Sequence, residues 1–140
     1  FFYKSHFGLI TSDECYDETG ETCLTFNRVN QGQIFVDHHA LLTIPKAKAG
    51  LGHTAYEVED LNHIYLGHEH LKKKAHRHSW GIGRHILGSQ IFDYWFDPYG
   101  FMVEHWTDGD LLNEDYPMGR SPVGEALKVQ WGTDSAQRAT

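Results

Sequence analysis

Histidine is the residue type that first suggests chemistry in this sequence, because 11 of its 140 residues are histidines. Imidazole changes its charge near neutral pH and is also a common metal ligand. His53 and Glu104 stand out, since each lies in an otherwise apolar segment with the alternation typical of a strand. A metal site or an acid–base site is therefore the first hypothesis to consider.

His53 and Glu104 are ligand types that suit Fe(II). Two histidines and one carboxylate on one face of an iron ion form the facial triad of non-haem oxygenases, which leaves three positions open. This pair supplies two of the three ligands. A histidine and a glutamate on neighbouring strands are more often a buried hydrogen-bonded pair, so the residues alone leave both interpretations open.

The other histidines are interpreted by their place in the pattern. His38 and His39 lie in a strand-like segment, where they face opposite sides. We therefore interpret His38 as a structural residue, or as one that contacts a site residue, and not as a metal ligand. His68 and His70 fall on a predicted helix, about 200° apart around its axis, and therefore cannot bind one ion. We interpret both as surface or partly buried residues, and His78 as structural.

Alternating and helical patterns predict the elements that position these residues. The first half contains a helix end and three strands, at 1–7, 9–15, 21–29 and 34–44. The second half contains a strand, a helix begun by Asp60 and three further strands, at 51–58, 61–75, 76–85, 90–96 and 101–106. The halves repeat one order, which predicts an α+β fold of paired βαβββ modules with curved mixed sheets around a site. We expect modules at 1–48, with its first strand absent, and 49–107, then a surface tail at 108–140.

Composition excludes several classes of protein. Hydrophobic residues make up 40% and aromatic residues 14%, too much for a disordered chain. No apolar run approaches the roughly 20 residues of a membrane-spanning helix. With 12 basic and 19 acidic residues and a net charge of −7, we expect no nucleic-acid or membrane partner. Cys15 and Cys23 are too few for a disulfide framework, which favours free thiols in the cytoplasm.

A longer set of motifs resembles one family. The run Gly81–Tyr94, followed by Asp97-Pro98-Tyr99-Gly100 and then Glu104, resembles the signature of type I extradiol ring-cleavage dioxygenases of the vicinal oxygen chelate superfamily. Three upstream segments also resemble parts of the family. Phe2–Leu9 resembles the end of its first helix, and Val36–Leu41 resembles the strand that ends the preceding module. Leu51–Val58 resembles the strand before the signature. The resemblance extends to about Asp115.

The resemblance implies a function and a role for each matching residue. His53 and Glu104 match metal ligands, for Fe(II) or alternatively Mn(II). His39 matches the histidine that assists at oxygen, and His85 and Tyr94 match residues that hydrogen-bond the substrate. The implied reaction is extradiol cleavage of a catechol with O2 in the degradation of aromatic compounds, to give a yellow hydroxy-keto-dienoic acid. We also expect a homo-oligomer.

The family's first histidine ligand precedes the first helix and would lie upstream of Phe1. The sequence also begins without methionine, so we expect a piece of a longer protein. Three alternatives stay open: a related isomerase or thiol transferase that uses another metal, a metal-free module that binds an aromatic ligand, and a structural half of a larger assembly.

Overall fold

The computed structural model describes residues 2–133. Its elements in chain order are α1 (Phe2–Phe7), β1 (Leu9–Tyr16), β2 (Thr22–Val29), β3 (Val36–Asp37), β4 (Leu41–Thr43), β5 (His53–Glu57), α2 (Leu61–Lys73), β6 (His78–His85), β7 (Ile91–Phe96), β8 (Met102–Thr107), β9 (Leu111–Leu112), β10 (Gly119–Pro122), a 3-10 helix (Val123–Leu127) and β11 (Val129–Gly132). They divide into two compact units. The first comprises residues 1–47 and 109–126, and the second comprises residues 48–108 together with the chain from 127 onward.

The first unit contains a four-stranded sheet in the order β10-β1-β2-β4 and a two-stranded pair of β3 with β9. Strands β1 and β2 form an antiparallel hairpin, and β10 adds in parallel to β1. The hairpin turn is closed by the Asp17 carboxylate, which accepts hydrogen bonds from the backbone N–H groups of Thr19 and Glu21. Such a local bond is the reason aspartate favours turns.

Arg28 holds the later part of the first unit against its hairpin. Its guanidinium is buried and donates to the Ser12 hydroxyl at 2.9 Å and to the backbone carbonyls of Thr11, Asn113 and Tyr116 at 3.3, 3.0 and 2.9 Å. Burial lowers the pKa of Arg28 from its ordinary value, while the neighbouring Asp13 opposes that change. The arginine therefore connects the β1–β2 hairpin to the segment after β9.

The second unit is built around a five-stranded sheet in the order β11-β6-β7-β8-β5. Strands β5 and β8 pair in parallel, and the other neighbours pair antiparallel. The sequence β5-α2-β6-β7-β8 is the predicted strand–helix–three-strand order. The β7–β8 turn is closed by the Asp97 carboxylate, which accepts from the N–H groups of Tyr99 and Phe101, and Gly100 supplies the positive φ of +89°.

Helix α2 begins where the sequence predicts, after Asp60. The Asp60 carboxylate accepts a hydrogen bond from the His63 backbone N–H at 2.9 Å, which satisfies one of the unpaired donors at a helix start. This hydrogen bond is the largest of the effects that together lower the pKa of Asp60 below its ordinary value. Ile64 is the buried residue of the helix, which packs against β6, β7 and β8.

The structure corrects one expected element. The segment 34–44 is not one strand: β3 pairs with β9, whereas β4 pairs with β2. Between them the His38 backbone N–H donates to the Asp110 carbonyl at 2.9 Å, which turns the chain away from the β2 ladder.

The segment expected as a surface tail, 108–140, adds β10 to the first sheet and β11 to the second, and its residues 134–140 lie outside the described part. The module boundaries at 48 and 107 stay a prediction. No helix among residues 2–133 is long and apolar enough to cross a membrane.

Candidate active site

Four of the five predicted site residues belong to the second unit and meet on one face of its sheet. Strand β5 provides His53, β6 provides His85, β7 provides Tyr94 and β8 provides Glu104. Tyr94 and Glu104 are direct neighbours in the β7–β8 register, so their side chains share a face. Strand alternation accounts for the common face of His53, Tyr94 and Glu104, whereas His85 reaches it by way of an irregular strand.

Glu104 is at the centre of this group and is 5% exposed. Its Oε2 lies 3.2 Å from His53 Nε2, and its Oε1 lies 3.8 Å from His85 Nε2. Burial raises the pKa of Glu104, but the two histidines outweigh that effect and lower its pKa from 4.5 to about 2. Glu104 is therefore an ionised carboxylate at neutral pH, which is the form that binds a cation.

Aromatic rings fix the orientation of the two histidines. The Tyr94 ring meets the His53 ring edge-on, with 5.2 Å between centroids, and its hydroxyl lies 3.2 Å from His85 Nε2. The His85 ring stacks on Phe92 at 4.0 Å, and Trp80 stacks on Tyr94 at 5.5 Å. Trp80, Phe92 and Tyr94 form a buried core cluster, so the side chains nearest Glu104 have a rigid support.

His85 reaches this face because β6 is irregular. The β6–β7 register shifts by one residue between His78 and Trp80 and again between Gly81 and Gly83. Each shift is a β-bulge, which turns the following side chains to the opposite face. A prediction that assumes strict alternation along β6 would therefore assign the residues before and after each bulge to the wrong relative faces.

His39 is the fifth predicted residue and belongs to the first unit, where it takes part in a chain of polar contacts. Asp13 Oδ2 lies 2.6 Å from His38 Nε2, and His38 Nδ1 lies 3.0 Å from His39 Nδ1. His38 is 3% exposed, and its carbonyl accepts from the Ser12 hydroxyl at 2.5 Å. The two rings are therefore in direct contact, because residues 38 and 39 lie outside a strand and do not follow the alternation expected of them.

This chain of contacts links the Asp13 carboxylate to the His39 ring. A carboxylate is an acceptor, so His38 donates its Nε2–H to Asp13. The other ring nitrogen of His38, Nδ1, faces His39 Nδ1, and the tautomers of the two rings decide which of these nitrogens donates. Asp13 can therefore influence His39 through the His38 ring.

Sequence reasoning missed a second group of possible ligands in the second unit. His68, His78 and Asp93 have ligand atoms within 4.8 Å of one another, on the sheet face that carries α2. The available signal was Asp93 itself, a carboxylate within the strongly apolar run of β7. Its neighbours His68 and His78 were interpreted as surface or structural residues.

Comparisons with known proteins agree with this geometry. The chain is 33% identical to metapyrocatechase 2 of Cupriavidus necator over 135 residues, which are 95% of this chain and 39% of that protein. The Mn(II)-bound glyoxalase from Novosphingobium aromaticivorans matches with a TM-score of 0.78 and 26% identity, over 99% of this chain and 44% of that chain. The 2,2',3-trihydroxybiphenyl 1,2-dioxygenase from Sphingomonas wittichii strain RW1 matches with a TM-score of 0.72 and 21% identity, over 94% and 44%. No protein-family model matches.

These matches define the class of the chain. It has the α+β vicinal oxygen chelate fold that glyoxalases and extradiol dioxygenases share, which confirms the predicted fold class. Its sequence is similar to that of metapyrocatechase 2, which confirms the predicted resemblance to extradiol catechol dioxygenases. The chain spans 39% of the length of the curated relative that it matches.

Proposed function

We propose that the protein containing this chain cleaves a catechol-type aromatic diol with O2, next to the two hydroxyls, using a non-haem Fe(II) ion. One observation carries the proposal: His53, His85, Tyr94 and Glu104 share one sheet face around an ionised carboxylate. The donor set fits the metal, because one imidazole and one carboxylate are two of the three ligands of a facial triad. Mn(II) accepts the same donors and is the alternative ion.

In this proposal His53 and Glu104 hold the metal, which supplies the redox coupling between the diol and O2. The resemblance assigns the third ligand to a strand preceding the first helix of the family, so a full site requires more of the protein than this sequence. The substrate is then a catechol that chelates the metal, and O2 is the second substrate. A homo-oligomer in the cytoplasm, serving aromatic-compound degradation, is the accompanying proposal.

His85 and Tyr94 are proposed to bind the substrate. The proposal is supported by the distance of 3.2 Å between His85 Nε2 and the Tyr94 hydroxyl, because one substrate oxygen could contact both groups. They would hydrogen-bond a catechol oxygen and favour its ionised form. The stacked rings of Phe92 and Trp80 would keep these groups in position and exclude water from that side.

His39 is proposed as the acid–base residue of the reaction. A histidine suits this role, because its ordinary pKa lies near the working pH. Asp13 and His38 are proposed as positioning residues, with Asp13 acting on His39 through the His38 ring. The Asp13→Asn change should therefore alter the pH profile of turnover, whereas a merely structural role of Asp13 would change stability and leave that profile in place.

Metal content provides the first test. The full-length protein is loaded anaerobically with Fe(II), and bound iron is counted for the parent protein, His53→Ala, Glu104→Gln and the control Glu57→Gln. Glu57 is an exposed carboxylate on the same strand as His53. We expect each ligand variant to bind less iron than the parent protein and the control to bind as much. Equal iron content in all four proteins would contradict the assigned ligands.

Roles in catalysis are tested on the full-length protein with a panel of catechols, by following the yellow ring-opened product. His39→Gln should lower turnover per bound iron by roughly 100-fold or more without removing iron, as expected for the loss of an acid–base group. Tyr94→Phe, which removes a proposed hydrogen bond to the substrate, should also lower turnover per bound iron without removing iron. Loss of iron with unchanged activity per iron would refute the assigned roles. Tight binding of a catechol without metal or turnover would instead favour a metal-free binding module.

A further inference from the structure

We propose that the second unit has another metal site, formed by His68, His78 and Asp93, for a divalent ion with the preferences of Zn2+. The three residues come from three elements, α2, β6 and β7. They lie on the α2 side of the sheet, whereas Tyr94, the neighbour of Asp93, faces the opposite side with Glu104. The site is therefore separate from the proposed active site and independent of it.

The distances within this group fit a small coordination sphere. Asp93 Oδ2 lies 3.1 Å from His68 Nδ1, and Asp93 Oδ1 lies 2.9 Å from His78 Nε2. Bonds of about 2.0–2.1 Å from Zn2+ to nitrogen and oxygen in a tetrahedron place neighbouring ligand atoms about 3.3 Å apart. Small side-chain movements would thus admit an ion among the three atoms.

The charge of Asp93 is the second argument. Its carboxylate is fully buried, and the described side chains with nitrogen atoms within 4.0 Å of it include His68 and His78. A buried carboxylate is costly unless a cation or hydrogen-bond donors compensate its charge. A divalent cation would compensate it and would use both imidazoles in the neutral form that ligates metals.

A hydrogen bond from a neighbouring side chain also fixes the orientation of the Asp93 carboxylate, as is common for carboxylates that bind metals. The Trp95 indole N–H donates to Asp93 Oδ2 at 2.5 Å, which fixes the carboxylate plane from outside the proposed coordination sphere. Gly81 lies close on the other side: a Cβ there would come within 2.9 Å of Asp93 Oδ1. A larger residue at position 81 would therefore push against the carboxylate that the ion needs.

An opening to solvent completes the site. A pocket of about 310 Å³ borders the group, lined by His68, His78, Trp95, Lys72, His76 and Gly81. His78 has a third of its side chain exposed, so an ion can reach the ligands without unfolding the unit. Three protein ligands with an adjoining pocket leave the fourth position for water, as in open zinc sites.

The β-bulge between His78 and Trp80 makes this arrangement possible. Without it, His78 would share a face with Trp80 and point to the Tyr94 side; with it, His78 pairs with Trp95 on the α2 side. Bulges commonly re-aim a side chain beside a functional site. This bulge brings the second imidazole to Asp93.

The test uses a background that removes the proposed active-site ligands, the His53→Ala/Glu104→Gln double variant. Zn2+ binding is measured by calorimetry and by bound-metal counting, and Co2+ absorption reports the ligand geometry. We expect the background protein to bind one ion. Adding His78→Ala should weaken binding by roughly 100-fold or more, since a direct ligand matters more than its outer partners. His70→Ala, an exposed histidine on the same helix, is the matched control and should bind like the background.

Circular dichroism establishes that each variant is folded, and His78→Ala is the deciding change because its side chain is partly exposed. Absence of an ion in the folded background protein would overturn the proposal and leave Asp93 as a structural carboxylate held by two histidines. Binding that survives His78→Ala, or that His70→Ala abolishes, would overturn it as well.

Discussion

Glu104→Gln provides a quantitative test of the electrostatics of the candidate active site. The histidine contacts lower the pKa of Glu104 from 4.5 to about 2 in the folded chain, against the opposing effect of burial. At about 1.36 kcal/mol per pKa unit, this corresponds to a stabilisation on the order of 3 kcal/mol for the ionised form. Because the folded pKa is the lower one, this stability is present above pH 4.5 and is lost as the pH falls towards 2.

The loss is measurable before the acid limit. Between about pH 6 and pH 3.5, linkage predicts that protonation of Glu104 lowers the free energy of unfolding by about 1 kcal/mol. Glutamine does not titrate, so the stability difference between the parent chain and Glu104→Gln should shrink by that amount. Urea unfolding in the presence of a chelator, followed by tryptophan fluorescence, measures it, because all four tryptophans lie in the second unit.

The exposed Glu57→Gln variant on β5 is the control and should show little change of the difference with pH. A difference between the parent chain and Glu104→Gln that stays constant from pH 6 to pH 3.5 would refute the reasoning. It would mean that the histidines do not hold the carboxylate in its ionised form.

Three further outcomes are expected. Burial, with a smaller effect of Asp13, raises the pKa of the Cys15 thiol to about 11. In a Cys23→Ser variant at pH 8, a disulfide reagent should therefore label Cys15 about 100-fold more slowly in the folded chain than in the unfolded chain. Equal labelling rates would contradict this expectation. Asp60→Ala should speed hydrogen exchange in the first turn of α2, and Asp60→Ser should largely restore it; an unchanged rate in Asp60→Ala would show that the cap is dispensable. Arg28→Met removes four hydrogen bonds and should destabilise the β1–β2 hairpin by about 2–4 kcal/mol, seen as faster exchange of its amides; unchanged exchange would refute the bridging role.

Much of the second unit was predictable because its local signals agree. The Asp97–Gly100 turn, the apolar run of β7 and the Asp60 cap each specify one element without help from distant contacts. Once β7 and β8 pair, alternation alone brings Tyr94 next to Glu104. Local chemistry and strand periodicity therefore indicated the pair His53 and Glu104, whereas the roles of His39, His85 and Tyr94 were predicted from the family resemblance.

What sequence patterns missed depends on irregular backbone and on distant partners. The bulge between His78 and Trp80 places His78 on the opposite face from Trp80. The local sequence does not indicate where in β6 this change of face occurs. The spacing of the histidines within α2 does not indicate the partner of His68, which is Asp93, 25 residues away. In the first unit, segment 34–44 is divided because β3 pairs with β9 near residue 111, a contact that periodicity does not encode.

Strand β7 also has a consequence for how this protein varies among its relatives. Phe92 and Tyr94 face the proposed active site, while Asp93 and Trp95 face α2, so two chemical environments alternate residue by residue along one strand. A substitution at either kind of position leaves the other set in place, and each side is free to change its chemistry separately. A deletion of one residue exchanges the two sets at once. Sequence drift in this strand should therefore proceed by replacement, with insertions and deletions confined to the turns on either side.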